Sequence, residues 1–164
     1  MMHIIFENVI NLFQSVVVTV FLMASLGCKD KYNKKCIGII GIVTTFIYLT
    51  VSNHIAYFES VGIYIYMIYS LIFSFWVLGG TIIEKLFYNV MMIGCLAGSA
   101  LLGVGLISLV IKKDFLNAIP FGTASRYVSG ILVQLLLMLF LGFFIKLKKV
   151  LKEKDNKYMF TISM

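Results

Sequence analysis

Five apolar stretches, each long enough to cross a hydrocarbon layer of about 30 Å as a helix, take up most of this chain, and its lysines gather in every second gap between them. The stretches run from Ile4 to Gly27, Ile37 to Phe58, Val61 to Gly79, Leu86 to Ile111 and Tyr127 to Ile145. Inside a bilayer every backbone polar group must be satisfied within the protein, which leaves helices and closed barrels. Barrel strands alternate over about ten residues, whereas these runs are continuous. Hydrophobic residues make up 61% of the sequence and charged residues 13%, too little polar surface for a soluble domain of this size. The expected fold is therefore all-α: a polytopic membrane helical bundle of five transmembrane helices in one domain, residues 1–164. After a basic segment, 146–157, the apolar run that opens at Tyr158 is too short to span. It reads as the start of a sixth helix, cut from a longer parent.

The distribution of Lys and Arg sets the expected orientation. Lys29, Lys31, Lys34 and Lys35 lie in the first gap, Lys85 in the third, and Lys146, Lys148, Lys149, Lys152, Lys154 and Lys157 after the fifth stretch. The alternate side carries only Lys112, Lys113 and Arg126. Eleven against three places the first group in the cytoplasm and the N-terminus outside the cell membrane. Met1, Met2 and His3 lack the positive region of a secretory signal, so the first stretch is a retained span. Juxtamembrane lysines also attract anionic headgroups of the lipid bilayer at about 1 kcal/mol each. This accounts for the formal charge of +7 without nucleic acid, for which no aromatic or arginine-bearing platform is present.

Polar residues at membrane depth are costly and face protein or water. Glu7, Asn11 and Gln14 recur at helical spacing near the expected outer end of the first span. Such a stripe suits either an extracellular ligand or hydrogen bonds to neighbouring helices at headgroup level. Asn53 and His54 close the second span at the same level, while Asn89 and Gln134 lie deeper and suit interhelical bonding. The outer loop from Lys112 to Arg126 displays Phe115 and Phe121 beside Pro120 and Gly122. These rings either dip into the interface or receive a peptide or small hydrophobic ligand. Gly94, Gly98 and Gly105 on the fourth span form a small-residue face suited to close helix packing, within the chain or across a homodimer.

Little in the sequence points to chemistry. There is no HExxH, GxSxG or GxxxxGK[ST] motif, so an enzyme is not expected. Cys28, Cys36 and Cys95 are not spaced with His3 or His54 as metal ligands, and no metal or other cofactor is expected.

The order of features resembles the membrane sensor half of peptide-pheromone receptor histidine kinases of Gram-positive bacteria, the AgrC and ComD group. The resemblance rests on the opening FENVINLFQ, the lysine-rich gap KDKYNKKC, the stretch WVLGGTIIEKLFYNVMMIG and the basic run LKKVLKEKDNK. It implies a homodimeric, multi-pass sensor that reads an outside signal and passes it inward, as part of quorum-sensing two-component signal transduction. The kinase elements of that family, a phospho-acceptor histidine and an ATP-binding Asn box, have no counterpart in this sequence. Two other classes fit the same pattern: the small-solute-binding membrane component of a transporter, and a non-catalytic accessory membrane protein.

Overall fold

The computed structural model describes residues 2–54, 58–112 and 123–162. Five helices follow in order: α1 (Met2–Leu26), α2 (Lys34–His54), α3 (Phe58–Val77), α4 (Ile82–Ile111) and α5 (Ala124–Ile162). Four of them, α1, α2, α4 and α5, are long and apolar enough to cross a membrane, and α3 offers a shorter apolar stretch, Gly62–Val77. Ile83, Leu109 and Val110 are among many large apolar side chains that face outward. Lipid tails, rather than water, suit that surface.

Local sequence explains where the helices stop and start. Gly27 adopts φ +72°, and its N–H donates to Met23 O at 2.9 Å, so a left-handed residue closes α1. The Asn33 side chain accepts from the Lys35 N–H at 2.9 Å and opens α2. At α4 the Thr81 hydroxyl accepts from the Glu84 N–H, while the Glu84 carboxylate accepts from the Thr81 N–H at 2.7 Å. This reciprocal capping box satisfies two otherwise orphaned donors. Gly80, at φ +80°, turns the chain into that cap.

α5 departs from expectation. The fifth apolar stretch ends at Ile145, yet the helix continues unbroken to Ile162, because the Leu, Lys and Glu residues of the basic segment are good helix formers. The residues expected to begin a separate sixth helix are the last turns of α5. At about 1.5 Å per residue, a helix of 39 residues is far longer than the roughly 30 Å hydrocarbon layer.

α1 packs against α2, α4 and α5, and α3 bridges α2 and α4. Val18, Phe21 and Leu22 of α1 form the core with Ile37, Tyr66, Met92, Leu137 and Leu141. Small polar residues, including Ser15, Thr19, Ser70, Ser74 and Ser99, are buried beside them, as in bundles whose helices approach closely. The tightest approaches are at Gly41, where an added Cβ would stand 2.7 Å from Thr19 Cγ2, and at Gly103, where it would stand 2.5 Å from Val133 Cγ2. Gly94, Gly98 and Gly105 have nothing within 4 Å of that position. Within the chain, the close α4–α5 approach is therefore at Gly103, and the face formed by Gly94, Gly98 and Gly105 meets no other helix of the chain at that distance among the described residues.

The three lysine-bearing segments meet at one end of the bundle. The linkers after α1 and α3 pair as an antiparallel bridge at Cys28 and Leu78, with Lys29 N donating to Val77 O at 3.2 Å and Gly79 N to Gly27 O at 3.0 Å. Lys29 Nζ donates to Phe75 O at 2.8 Å and Trp76 O at 2.9 Å, the orphaned carbonyls of the last turn of α3. Lys148 Nζ does the same for Ser25 O at the end of α1 and lies 5.0 Å from the centre of the Tyr88 ring. Lys85, only 6% exposed, sits over the Phe75 ring at 5.4 Å.

Cys28, in the bridged linker, is half-buried, and burial pushes its thiol above the ordinary range while Lys34 pulls it partly back. A raised thiol pKa means less thiolate at any given pH and slower alkylation. The alkylation rate of Cys28, followed by mass spectrometry, should reach half its maximum at a higher pH than that of a small free thiol. Lys34→Ala should move that midpoint further up.

Candidate ligand cavity

The opposite end of the bundle holds the polar side chains. Glu7, Asn11 and Gln14 lie on one face of α1, and each bonds a different partner. Arg126 donates through Nε to Glu7 Oε1 at 2.9 Å and through Nη2 to Oε2 at 3.4 Å. Asn53 Nδ2 donates to Asn11 Oδ1 at 3.1 Å, and Gln134 Nε2 donates to Gln14 Oε1 at 3.1 Å. Both arms of the guanidinium fork are used on the carboxylate, a geometry that lysine cannot reproduce. Arg126 sits in the first turn of α5, where the positive end of the helix dipole disfavours a cation. The carboxylate of Glu7 offsets that cost. The side chains of the pair are only 17% and 30% exposed, so neither charge is fully solvated. His3 Nδ1 approaches the same carboxylate at 4.0 Å, and Phe6 packs edge-on against Tyr127 with centroids 4.7 Å apart.

Glu7–Arg126 and Gln14–Gln134 advance in the same direction along both helices, so α1 and α5 run parallel. Lys148 and Ser25 extend that seam to the lysine end. α1 and α5 are thus tied by polar groups at both ends of the bundle and once between.

These side chains surround a cavity of 270 Å³ walled also by Leu49, Ala100, Val104, Ser129 and Val133. Gly130 lets α5 close on α1 here: an added Cβ would stand 3.2 Å from the Phe6 ring. A second, more open hollow of 280 Å³ adjoins it further along the helix axes, sharing Gln14, Leu49, Ala100 and Val133 and adding Ser52, Tyr66, Ala97 and Leu137. Three buried oxygens in these walls, Gln134 Oε1, Ser52 Oγ and Tyr66 Oη, have no hydrogen-bond partner among the described residues. Buried polar atoms are seldom left so. A larger groove of 410 Å³ between α2 and α3, lined by Ile37, Ile40, Ile72, Phe73 and Trp76, is almost wholly apolar and suits lipid tails.

Of the residues singled out in the sequence, Glu7, Asn11, Gln14 and Asn53 converge on the cavity. They also bond neighbouring helices, which is one of the two roles weighed for them. Gln134 bonds α1, and Asn89 bonds Ser74 Oγ at 2.9 Å and Lys85 O at 2.7 Å, joining α3 to α4. Phe115, Phe121 and the His54 side chain lie outside the described residues. In the sequence Arg126 bears only on orientation, and its place in the site is not apparent. It is the chain's single arginine among thirteen lysines, and that choice is the one signal for a bidentate partner. Among the described residues no three of His, Cys, Asp and Glu come together as metal ligands. The chain matches no known protein family, no curated protein and no solved structure.

Proposed function

We propose that the chain is the ligand-sensing module of a multi-pass membrane signalling protein, crossing the membrane five times with the cavity facing outward and the lysine end in the cytoplasm. Convergence of three basic segments on one end supports that orientation. The observation that carries the sensing reading is that one unbroken helix, α5, supplies Arg126 and Gln134 to the cavity, Lys148 to the far end of α1, and then the basic extension. A ligand that competes for Arg126 or Gln134 alters the seating of α5 on α1 at one end. Because the same helix is tied to α1 at the other end, the change is felt there. Coupling of this kind requires different ligand affinities for two packings. The likeness to pheromone-receptor sensor halves agrees with this arrangement. A solute-binding transporter component would share the cavity, but it has no evident use for the helical extension.

The test needs no ligand. Spin labels at the exposed positions Lys31 and Lys149, in a variant whose native cysteines are replaced by serine, report the lysine-end distance. Arg126→Gln should shift or broaden that distance relative to the unaltered pair. An unchanged distribution would mean that the cavity and the lysine end are uncoupled, and the sensing reading would fail.

A further inference from the structure

We propose that the lysine end of α3 is a binding site for an anionic two-chain phospholipid, with its phosphate at Lys29 and Lys85 and its tails in the two grooves that meet at Trp76. The site lies at the opposite end from the polar cavity and does not depend on the sensing reading. Two cations form its head. Lys29 Nζ directs two of its three N–H groups to Phe75 O and Trp76 O, and Lys85 Nζ lies 5.4 Å from the centre of the Phe75 ring. One residue thus brings both ammoniums to the end of α3, where the two charges are close enough to repel. Lys85 is only 6% exposed, and its ammonium, which still reaches the surface, donates no hydrogen bond and joins no ion pair among the described residues. Glu84, its neighbour in sequence, is engaged by the Thr81 N–H and hydroxyl. A half-desolvated ammonium without an acceptor is costly, and phosphate oxygens supply strong, charge-assisted ones.

The apolar part of the site has the depth of one leaflet. The 410 Å³ groove between α2 and α3 runs from Asn33 and Trp76 at the lysine end to Thr44 and Tyr69, whose hydroxyls are bonded to each other. Eleven residues separate Asn33 from Thr44, roughly 16 Å at the helical rise and about half of the ~30 Å hydrocarbon layer. A second hollow, of 450 Å³, shares Ile72 and Trp76 and adds Ile68, Leu71 and Phe75, so the Ile72–Trp76 ridge of α3 divides two tail-sized channels. They meet beside the residue that holds both lysines. Trp76, 71% exposed, marks the same level, because tryptophan collects where headgroups begin. A peptide laid in grooves so nearly without polar groups would leave its backbone unbonded. Acyl tails carry no such groups, and the adjoining cations select a lipid of negative charge.

Trp76 is the chain's single tryptophan, so bromine on a lipid tail seated in either groove quenches its fluorescence. The full chain is reconstituted in phosphatidylcholine vesicles containing a graded fraction of brominated lipid, either phosphatidylglycerol or phosphatidylcholine with the same tails. Phosphatidylglycerol should associate at Trp76 roughly fivefold more tightly than phosphatidylcholine, the equivalent of about 1 kcal/mol. Lys85→Gln should bring that ratio close to one, whereas Lys85→Arg should keep it. Lys149→Gln, at an exposed position on α5, should leave it unchanged. Soluble glycerol 3-phosphate in excess should not lower it either. Loss of quenching by both brominated lipids would report a misfolded Lys85→Gln chain, and Lys29→Gln, at an exposed position, then carries the comparison. Equal association of the two lipids with the unaltered chain overturns the proposal. So does a fall with Lys149→Gln as large as with Lys85→Gln, which would make the preference a property of the whole basic end. Competition by glycerol 3-phosphate would assign the cations to a free phosphate and overturn the lipid site.

Discussion

Replacing either Glu7 or Arg126 by Gln should lower the thermal stability of the protein, whereas exchanging them in a Glu7→Arg, Arg126→Glu double variant should recover a large part of the loss. Breaking a fully buried pair costs about 3–5 kcal/mol because the remaining charge is uncompensated, and an exposed pair is worth about 1 kcal/mol or less. At 17% and 30% exposure this pair falls between those limits, at about 1–3 kcal/mol. The two single losses should not be equal. Arg126→Gln removes a cation from the unfavourable end of the α5 dipole, while Glu7→Gln leaves that cation without its counterpart. Glu7→Gln is therefore the more damaging of the two. Rescue by the double variant should stay incomplete, since Arg on α1 and a carboxylate at the α5 N-terminus meet with altered fork geometry. Thermal unfolding of the four proteins in one detergent checks the order. Equal stability of all four would show that the pair is solvated and contributes nothing.

The second large effect is steric. Gly103→Ala places a methyl group 2.5 Å from Val133 Cγ2, with Val133 backbone atoms at 3.4 and 3.5 Å behind it. The rotamer of Val133 is restricted by its branched Cβ, so α4 and α5 must separate. Overpacking of this kind costs about 1–3 kcal/mol. Gly98→Ala, five residues earlier on the same helix, meets nothing within 4 Å. It should leave stability unchanged or raise it by up to about 1 kcal/mol through helix propensity. If the two variants melted together, the α4–α5 contact would not be where the structure places it. Gly41→Ala belongs with Gly103, since its methyl would meet Thr19 Cγ2 at 2.7 Å and the Phe73 ring at 2.9 Å.

Length and continuity of the apolar runs locate the helices from sequence alone, because the bilayer leaves the backbone few alternatives. Helix ends are less legible: lysine ends a hydrophobic stretch but not a helix, which is why α5 runs on past Ile145. The Glu7, Asn11 and Gln14 stripe is visible because it obeys the period of one helix. Its partners are not, since Arg126 and Gln134 stand 119 and 120 residues away and no pattern local to one segment joins them. The glycines are legible only in part: spacing identifies a small-residue face but not its rotation, and Gly103, off the regular series, is the one that faces Val133.

The bridge between the two linkers has a mechanical consequence. At the lysine end, backbone hydrogen bonds join the α1–α2 hairpin to the α3–α4 hairpin, and Lys148 fastens α5 to the same place. At the other end α1 is held to α2 and α5 by side chains of Glu7, Asn11, Arg126 and Asn53. The end at Cys28 and Leu78 is thus joined through backbone hydrogen bonds that no side-chain substitution removes, and the cavity end through side-chain bonds that single substitutions can cut.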